Sequence, residues 1–580
     1  MAILHIRQLS LAVVTLTLAY GVPLSAEEQA PQPADGQTAV ALALPPTAAA
    51  DDKRLFVGAE GCFMCHKAYE GWRTSLHATG LKLAPDDRYS MQIKNGVIVD
   101  YDKNGVEDFK QGLDFNQISS DWDPYKPNAP ILGYSGGTGY TIQIGPVIYP
   151  VAFVHGGSGR YKQRFVLRIP VTDRPNGLSA GHYYSPIQYN EANQKYVIYE
   201  PKYWYNDDKT VKILGPIQAK EAAKGKSFEK ECSGCHATSM RVEQDENGEY
   251  ISYSSNLVYV WPEDFHYLDL RDTGVLEGFN GGCERCHGPG NLHIVGLGQT
   301  GHIVNPAKLT AMQANELCGS CHSRGKSLPT AKHDFPYDEL TGEDYSRYIG
   351  ESLYGRFFQD KPGLWPDGKT SKQHHQQFQE FRQSSKWEFA PHKVTCMECH
   401  DVHNQERVHL RTQLTVAGTG GAQLTIAVKM EDNSLCLACH AGFGPFESLK
   451  REYIQDMEAY LQFIARVVSD HTHHSYDPTG QTASSRCTEC HMARMAASGA
   501  PYDISSHTFK AVPPERTIKY QEQGGMPNSC AVRCHRTSGP AWGLPADQSL
   551  TKWNEESDVA VAQKLMSYYG PDGTWWKTKE

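Results

Sequence analysis

Strand-like patterns of apolar positions are concentrated in one stretch of the chain, residues 86–215. Apolar residues alternate with polar ones, or form β-branched and aromatic runs, in YTIQIGPVIYPVAFV (140–154), YKQRFVLRI (161–169) and KYVIYEPKYWY (195–205). The dipeptides Asn95-Gly96 and Asn104-Gly105 are typical of hairpin turns between strands. The pattern predicts a β-rich insertion or small domain over residues 86–215.

Elsewhere the apolar patches are shorter and are separated by glycine, proline and polar residues, which favours short helices and loops. The polar segment KQHHQQFQEF predicts a helix in a connector over residues 341–395, with Phe378 and Phe381 facing the interior. A further helix is predicted over residues 554–569, within a C-terminal tail at 541–580.

The N-terminus has the three parts of a secretory signal peptide. Arg7 supplies the positive charge, residues 9–20 are apolar, and Leu24-Ser25-Ala26 matches a cleavage site. Residues 27–54 are rich in alanine and proline and predict a flexible linker. We therefore expect an exported protein, located in the periplasm or outside the cell.

Composition excludes two classes of protein. The net charge of −10 over 580 residues argues against a nucleic-acid partner, which needs a basic face. The mean hydropathy is −0.52, and no apolar run reaches the roughly 18–20 residues of a membrane-spanning helix, so we expect no transmembrane span in the mature chain.

All sixteen cysteines fall into eight pairs, and a histidine directly follows each pair. We number these motifs 1 to 8 in chain order. Motifs 1 to 7 have the form C-x-x-C-H and consist of Cys62/Cys65/His66, Cys232/Cys235/His236, Cys283/Cys286/His287, Cys318/Cys321/His322, Cys396/Cys399/His400, Cys436/Cys439/His440 and Cys487/Cys490/His491. Motif 8 is one residue longer and consists of Cys530, Cys534 and His535.

This spacing is typical of covalent haem attachment. Two such thiols add to the vinyl groups of one haem, and the following imidazole binds its iron. Zinc ribbons do not need a histidine after each pair, and disulfide frameworks and iron–sulfur clusters would not place one there. The motifs predict eight haem c groups, held by the sixteen cysteines, with the eight motif histidines as proximal iron ligands. The longer motif 8 requires a local bulge.

Sixteen other histidines outside the signal peptide are available as distal iron ligands. The main candidates are His77, His293, His375, His403, His474 and His507, with His374 competing with His375, and His471 and His473 competing with His474. Further candidates are His155, His333 and His392, whereas His182, His266, His302 and His409 stay unassigned. Histidine on both sides of each iron would give low reduction potentials.

Residues 100–108 resemble the first part of a calcium-binding loop, with Asp100, Asp102, Asn104 and Asp108 at suitable spacing. The twelfth position is Gln111 instead of the usual glutamate. Because the flanking segments have strand patterns, the sequence favours a hairpin turn over a calcium site.

The motif segments together resemble the multihaem cytochrome c superfamily that contains hydroxylamine oxidoreductase and the tetrahaem electron carrier of ammonia oxidisers. The segments that carry this resemblance to an octahaem member are CFMCHKAYEGWRTSLHA, ECSGCHATS, GGCERCHGPGNLH, ELCGSCHSRG, VTCMECHDVH, LCLACH, RCTECHMARM, SSHTF and PNSCAVRCH. The resemblance implies that His77, His293, His403 and His507 are distal ligands of other haems. The chain departs from the family pattern at Trp387, where a histidine is expected and His392 would substitute, and at the extra residue of motif 8.

The resulting fold expectation is mainly short α-helices and loops wrapped around stacked haems, with the β-rich insertion between motifs 1 and 2. Residues 55–85 carry motif 1, residues 216–340 carry motifs 2 to 4, and residues 396–540 carry motifs 5 to 8.

Such a density of haems predicts electron transfer as the function. Expected partners are other redox proteins, namely cytochromes or membrane quinol-oxidising complexes, and self-association into a wire is a further possibility. The alternative is an octahaem oxidoreductase acting on nitrite, hydroxylamine or tetrathionate. The chain has no C-x-x-C-K motif of dedicated nitrite reductases, and the sequence identifies no catalytic residue.

Overall fold

The regular structure of this protein consists of one large antiparallel sheet followed by short helices and two-stranded ladders. The computed structural model describes residues 54–84, 92–93, 97–157, 161–191, 193–254, 267–273, 277–278, 280–384, 393–403, 409–429, 432–476, 485–535, 555–570 and 573. These residues belong to one compact unit.

The strands are β1 (Leu81–Leu83), β2 (Gln92–Ile93), β3 (Val97–Ile98), β4 (Ile131–Ser135), β5 (Gly139–Ile144), β6 (Val147–Gly156), β7 (Lys162–Leu167), β8 (Tyr183–Asn190), β9 (Lys195–Ile198), β10 (Met240–Gln244), β11 (Tyr250–Ser254), β12 (Tyr267–Leu268), β13 (Glu277–Gly278), β14 (Gly325–Ser327), β15 (Tyr337–Asp338), β16 (Glu343–Asp344), β17 (Phe358–Asp360), β18 (Gln413–Ala417), β19 (Gln423–Ala427), β20 (Arg494–Ala496) and β21 (Ile504–Ser505).

The α-helices are α1 (Ala59–Phe63), α2 (Asp108–Gln111), α3 (Ala219–Ala222), α4 (Phe228–Glu231), α5 (Ser233–His236), α6 (Glu284–His287), α7 (Asn291–Val295), α8 (Ala311–Gly319), α9 (Gln377–Gln383), α10 (Cys396–Cys399), α11 (Ser434–His440), α12 (Arg451–Gln455), α13 (Leu461–Thr472), α14 (Cys487–His491), α15 (Pro514–Lys519) and α16 (Glu555–Tyr569).

The large sheet has seven strands. Strands β4 to β9 pair in chain order as an antiparallel meander, and β1 joins the sheet at β6. The first half of β6 pairs with β5, and its second half pairs with β1 on one side and β7 on the other. Along β5, Tyr140, Ile142 and Ile144 are buried and the residues between them are half-buried, which is the alternation of a sheet with one face on a core.

The strand content corrects the expected fold class in part. The strands predicted within 86–215 are present, but the prediction of mainly helices and loops underestimated the β content, because the described residues outside that segment form six two-stranded ladders. Strands of two to five residues are too short to produce a periodic pattern, so most of them could not be predicted from the sequence.

The two hairpin signals have different outcomes. Asn95 and Gly96 lie outside the described residues, but the segments on either side form the predicted antiparallel pair, with Ile93 opposite Val97. Around Asn104-Gly105 the prediction is wrong, since the turn leads into helix α2 instead of a strand. There the Asp100 carboxylate accepts hydrogen bonds from the backbone N–H groups of Asn104 (3.1 Å) and Gly105 (2.8 Å).

Two helical predictions are confirmed, and a third requires correction. Helix α16 coincides with the predicted helix at 554–569, and α9 buries Phe378 and Phe381 as expected. However, α9 begins after His374 and His375, so these histidines lie in the preceding turn. Within the described residues, no helix is long and apolar enough to cross a membrane.

The sheet packs directly against motif 2. Phe153 of β6 meets Phe228 of α4 edge to face, with ring centroids 4.8 Å apart, and the Tyr184 N–H donates to the Lys226 carbonyl at 3.0 Å. Both phenylalanines belong to a buried cluster that also includes Ala237, directly after the motif. The β-rich segment therefore forms one wall around motif 2.

Candidate haem-binding sites

The motif spacing places each pair of thiols and the following imidazole on one side of a helical turn. In motifs 1 to 5, the histidine N–H donates to the carbonyl of the first cysteine at 2.9–3.1 Å, as in an α-helical turn. Residues three and four positions apart on such a turn share a face. The sequence C-x-x-C-H thus presents all three ligating side chains in one direction.

Motif 8 absorbs its extra residue as predicted. Residues Ala531–His535 form a π-helical turn, whose hydrogen bonds span five residues instead of four. Ala531 and Val532 are buried, so the extra residue lies in packed structure and not in a loop. The bulge keeps the second cysteine and the histidine adjacent at the end of the turn.

The structure describes all sixteen cysteines, and none of them forms a disulfide. Most of the thiols are half-buried, whereas Cys65, Cys439 and Cys534 are exposed. The thiols of motifs 1, 6 and 8 therefore reach the surface.

Six motif histidines face a second histidine at a separation that fits one iron. Metal–imidazole bonds are about 2 Å long, so two imidazoles on opposite sides of a metal have ring centroids roughly 6 Å apart. The observed pairs are His66–His293 (6.3 Å), His287–His403 (6.4 Å), His322–His77 (6.4 Å), His400–His507 (6.5 Å), His491–His471 (6.3 Å) and His535–His474 (6.1 Å). The residues present therefore fit haem c with two histidine ligands.

His236 of motif 2 has two histidine neighbours. The His375 ring lies 5.8 Å away, close to the separation of the other pairs, whereas the His155 ring lies 4.1 Å away, too near for a metal between them. His375 also lies 6.5 Å from His322, with the rings at 77° to each other. His374 packs beside His375 at 4.2 Å.

Several sequence candidates are not at such positions. His333 contacts Tyr250, Phe335 and Tyr337 and faces no motif histidine. His392 and Trp387 lie outside the described residues. For His440 of motif 6, no histidine in the described part of the chain faces its ring, so its distal ligand is unassigned.

Two histidines near the sites were missed by sequence reasoning. His471 was only a competitor of His474, yet both face motif histidines, because the end of α13 and the following turn point them toward motifs 7 and 8. His409 was unassigned, and its ring stacks on His77 at 4.9 Å. The presence of three histidines at 471, 473 and 474 was the feature of the sequence that could have indicated ligands for two iron sites.

Burial favours the neutral form of three of the facing imidazoles. It lowers the pKa of His77 to about 3 and the pKa values of His236 and His507 to about 4. A neutral imidazole is the form that binds a metal. These histidines are therefore ready to bind iron at neutral pH.

Cysteine thiols of different motifs lie close enough to shift each other's pKa at four places. These contacts join motifs 1 and 3 (Cys62–Cys283), 2 and 4 (Cys235–Cys321), 4 and 5 (Cys318–Cys396), and 6 and 7 (Cys436–Cys487).

Three further junctions connect these pairs. Burial and then the Cys318 thiol raise the pKa of Cys286 to about 12, which places motif 3 beside motif 4. Burial and then the Cys436 thiol raise the pKa of Cys399 to about 12, and burial and then the Cys534 thiol raise that of Cys490 to about 11. The motifs thus form a series in the order 1, 3, 4, 5, 6, 7, 8, with motif 2 as a branch at motif 4.

Comparison with known proteins gives no family assignment. No protein-family model matches the chain, and no curated protein matches it. The solved structures similar to it include the outer cell wall cytochrome OcwA, with 18% identity over 89% of this chain and 87% of that chain and a TM-score of 0.49. They also include an undecahaem cytochrome from the S-layer of Carboxydothermus ferrireducens, with 15% identity and a TM-score of 0.32. That match covers 90% of this chain but less than two thirds, 63%, of the undecahaem cytochrome.

Proposed function

We propose that this protein is an exported octahaem c-type cytochrome that relays electrons. The observation that carries the proposal is the arrangement of the eight motifs, in which seven form a series of neighbours and motif 2 adjoins motif 4. Haem c supplies a one-electron carrier at each motif when bound. Because electron tunnelling falls steeply with distance, neighbouring carriers must be nearly in contact, and the adjacent thiols provide that closeness.

The proposed axial ligands follow from the facing histidines. The motif histidine is the proximal ligand at each site, and the distal ligands are His293, His375, His403, His77, His507, His471 and His474 for motifs 1, 2, 3, 4, 5, 7 and 8 respectively. Most of these ligands come from a segment far along the chain from the motif they face. Iron binding therefore cross-links the chain, a role that disulfides play in other exported proteins.

We propose a periplasmic or extracellular location, from the signal-peptide pattern of residues 1–26, and cytochromes or quinol-oxidising membrane complexes as partners, with self-association as one further arrangement.

The series predicts which sites are essential for relay. We would tether the protein to a gold electrode through Leu297→Cys, because Leu297 is 95% exposed and follows the helix that carries His293. Removing motif 6 with Cys436→Ala and Cys439→Ala leaves seven haems. The five at motifs 1 to 5 should still exchange electrons rapidly with the electrode, whereas those at motifs 7 and 8 should not, because they are connected to it only through motif 6.

The matched control removes the branch instead of the series. With Cys232→Ala and Cys235→Ala, all seven remaining haems should exchange rapidly. A pyridine haemochrome assay establishes the haem content of each variant. Equal fast exchange in both variants would contradict the proposed order, and slow exchange in the unmodified protein would contradict the relay function.

A second candidate function is an oxidoreductase for a small nitrogen or sulfur species such as nitrite, hydroxylamine or tetrathionate. The observation that favours it is the position of Arg164 opposite His155, whose ring lies 4.1 Å from His236 of motif 2, since oxyanions need positive charge close to the iron. Turnover of these compounds by the reduced protein would support this second function.

A further inference from the structure

Helix α9 contacts the end of motif 4 with three consecutive residues. The His322 Nδ1–H donates to the Gln377 Oε1 at 3.2 Å, and the Phe378 N–H donates to the His322 carbonyl at 3.0 Å. The Gln379 side chain accepts the Arg324 N–H at 3.0 Å and donates to the Arg324 carbonyl at 2.7 Å. The first turn of α9 is therefore bound to the motif histidine and to the segment that follows it.

The contact between Gln377 and His322 determines which imidazole nitrogen is free to bind iron. An amide oxygen only accepts hydrogen bonds, so the proton of the neutral ring is on Nδ1, and Nε2 keeps its lone pair. The same ring faces His77 with the ring centroids 6.4 Å apart. Gln377 therefore acts on the motif 4 iron site through His322 and does not touch the iron itself.

Other motif histidines make the corresponding contact with the backbone. The Nδ1–H groups of His287 and His491 donate to the carbonyls of Val304 and Phe509 at 2.9 and 3.2 Å. A backbone carbonyl is present whichever side chain the residue carries. At motif 4, in contrast, the strength of the acceptor depends on the type of residue at position 377.

The sequence of motif 4 allows the close approach of α9. Gly319 lies between the two cysteines, and a Cβ atom at this position would be 2.2 Å from the ring of Phe378, which is buried. A larger residue would force α9 away from the motif. The glycine thus keeps the helix near enough for Gln377 to reach His322.

Helix α9 is also attached to the segment that carries the distal histidine of motif 5. The Glu380 carboxylate accepts the backbone N–H groups of His507 at 2.6 Å and Ser371 at 2.7 Å, and the Ser506 hydroxyl at 3.1 Å. Glu380 is buried, and His507 faces His400. Because α9 is fixed at both motifs, the Gln377 side chain is held in place against His322.

A hydrogen bond at Nδ1 changes the electron donation of an imidazole to a metal. A stronger acceptor makes the ligand more basic, which stabilises ferric iron and lowers the reduction potential, and loss of the acceptor has the opposite effect. Motif 4 adjoins motifs 2, 3 and 5. The potential at this junction governs whether electrons pass between these motifs or stay at motif 4.

We propose that Gln377 is a positioning residue that sets the reduction potential of the haem at motif 4, the junction between the series and the motif 2 branch. This inference rests on the proposed function, because it requires haem at motif 4 and electron transfer through it. It assigns control of the relay to one side chain of α9.

The test is a potentiometric titration of the holoprotein, followed by absorption and electron paramagnetic resonance. Gln377→Glu should lower one reduction potential, and Gln377→Leu should raise one. Each substitution should change the ratio of ferrous to ferric haem at a fixed potential by about tenfold, which corresponds to about 59 mV for a one-electron couple. A purely structural role for Gln377 would not give shifts of opposite sign.

Gln383 provides the matched control on the same helix. It is exposed, and its side chain donates to the Gln379 carbonyl at 3.2 Å. Gln383→Glu and Gln383→Leu should leave all potentials unchanged. A pyridine haemochrome assay establishes that every variant retains its haems.

His77→Met identifies the haem that responds. It should raise the potential of the motif 4 haem, because methionine is the weaker donor to ferric iron. Adding Gln377→Glu to His77→Met should lower this same potential. This pair of variants gives a result even where Gln377→Leu does not fold.

Three results would overturn the role of Gln377: unchanged potentials in its variants, shifts of the same sign in Gln377→Glu and Gln377→Leu, or a shift at a haem other than the one that His77→Met alters. With any of these results, fast exchange of the unmodified protein with the electrode would leave the relay function standing. Slow exchange of the unmodified protein would instead contradict the proposed function.

Discussion

Histidine partners connect distant parts of the chain at the level of single residues. His77 follows motif 1 by eleven positions but faces His322 of motif 4, and His403 lies three residues after His400 but faces His287 of motif 3. A histidine so close to its own motif does not reach the opposite side of the same iron. The distal ligand therefore comes from another segment, and the chain is tied together at each pair.

The His66–His293 pair provides a direct test of this ligation. Replacing His293 with alanine should convert one of the low-spin signals to high spin, because one iron loses a nitrogen ligand. His293→Met should keep that iron low-spin and raise one reduction potential, since methionine is a weaker donor to ferric iron. Electron paramagnetic resonance and a potentiometric titration measure both effects.

His302→Ala is the matched control for this prediction. His302 lies nearby and is exposed, and no motif histidine faces it in the part of the chain that the structure describes. The His302→Ala variant should have the same electron paramagnetic resonance spectrum as the unmodified protein. Identical spectra for His293→Ala and His302→Ala would contradict the assignment.

The buried carboxyl group of Glu107, which is not part of any motif, should make the stability of the protein depend on pH. Burial raises its pKa to about 7, and the hydroxyl of Tyr140 (3.1 Å) and the Lys110 ammonium (3.8 Å) offset only part of this effect. Because the folded pKa lies above the unfolded value, folding favours the protonated form. Stability is therefore lost as pH rises from about 4.5 to about 7.

Glu107→Gln should remove this loss. At pH 8 the variant should be more stable than the unmodified protein by about 1–3 kcal/mol, and at pH 4 the two should be nearly equal. Denaturant unfolding followed by circular dichroism measures the difference. The neighbouring Asp108, whose pKa burial raises to about 6, will keep part of the pH dependence in both proteins. A destabilised variant at pH 8 would contradict the prediction.

At the scale of elements, two kinds of structure could be predicted from the sequence: turns defined by spacings of a few residues, and strands long enough to show an alternating pattern. The C-x-x-C-H turns follow from four-residue geometry, and the strands within 86–215 are long enough to alternate visibly. The bulge of motif 8 was predicted from a single extra residue, and the structure forms it as a π-helical turn. His77 lies outside any helix, because the 3-10 helix Lys67–Thr74 ends before it.

The contact between the sheet and motif 2 could not be predicted from the pattern of apolar and polar residues. Alternation shows which face of a strand is buried but not what covers it. Phe153 and Phe228 are 75 positions apart, and only the fold brings them within 4.8 Å.

Phe153→Ala tests whether the sheet supports motif 2. Phe153 is fully buried, so the substitution should cost about 3–5 kcal/mol of stability and should alter the spectrum of one haem. Phe443→Ala is the control, because Phe443 is 60% exposed and its loss should change stability by no more than about 0.5 kcal/mol. Unfolding midpoints and haem spectra distinguish the two variants. Equal effects would mean that the sheet does not support this site.

At the scale of the whole molecule, the low hydrophobic fraction and the number of motifs belong together. Only 39% of the residues are hydrophobic, and eight bound haems would supply apolar surface that the side chains do not. The chain also has no disulfide to limit its unfolded state, and the paired histidines would fill that role through iron. Folding and haem attachment are therefore expected to depend on each other, as in proteins that fold around a metal.

The mass of the exported protein tests this dependence and the count of eight. The intact mass should exceed that of the processed polypeptide by eight haems, including one at motif 8, because the π-helical turn keeps Cys534 and His535 together at its end. Cys530→Ala with Cys534→Ala should lose one haem and retain seven, since motif 8 is at the end of the series. Removing both cysteines of motif 4 should be far more damaging, because that motif contacts motifs 2, 3 and 5. A seven-haem mass for the unmodified protein, with free thiols at Cys530 and Cys534, would show that the longer motif does not attach haem.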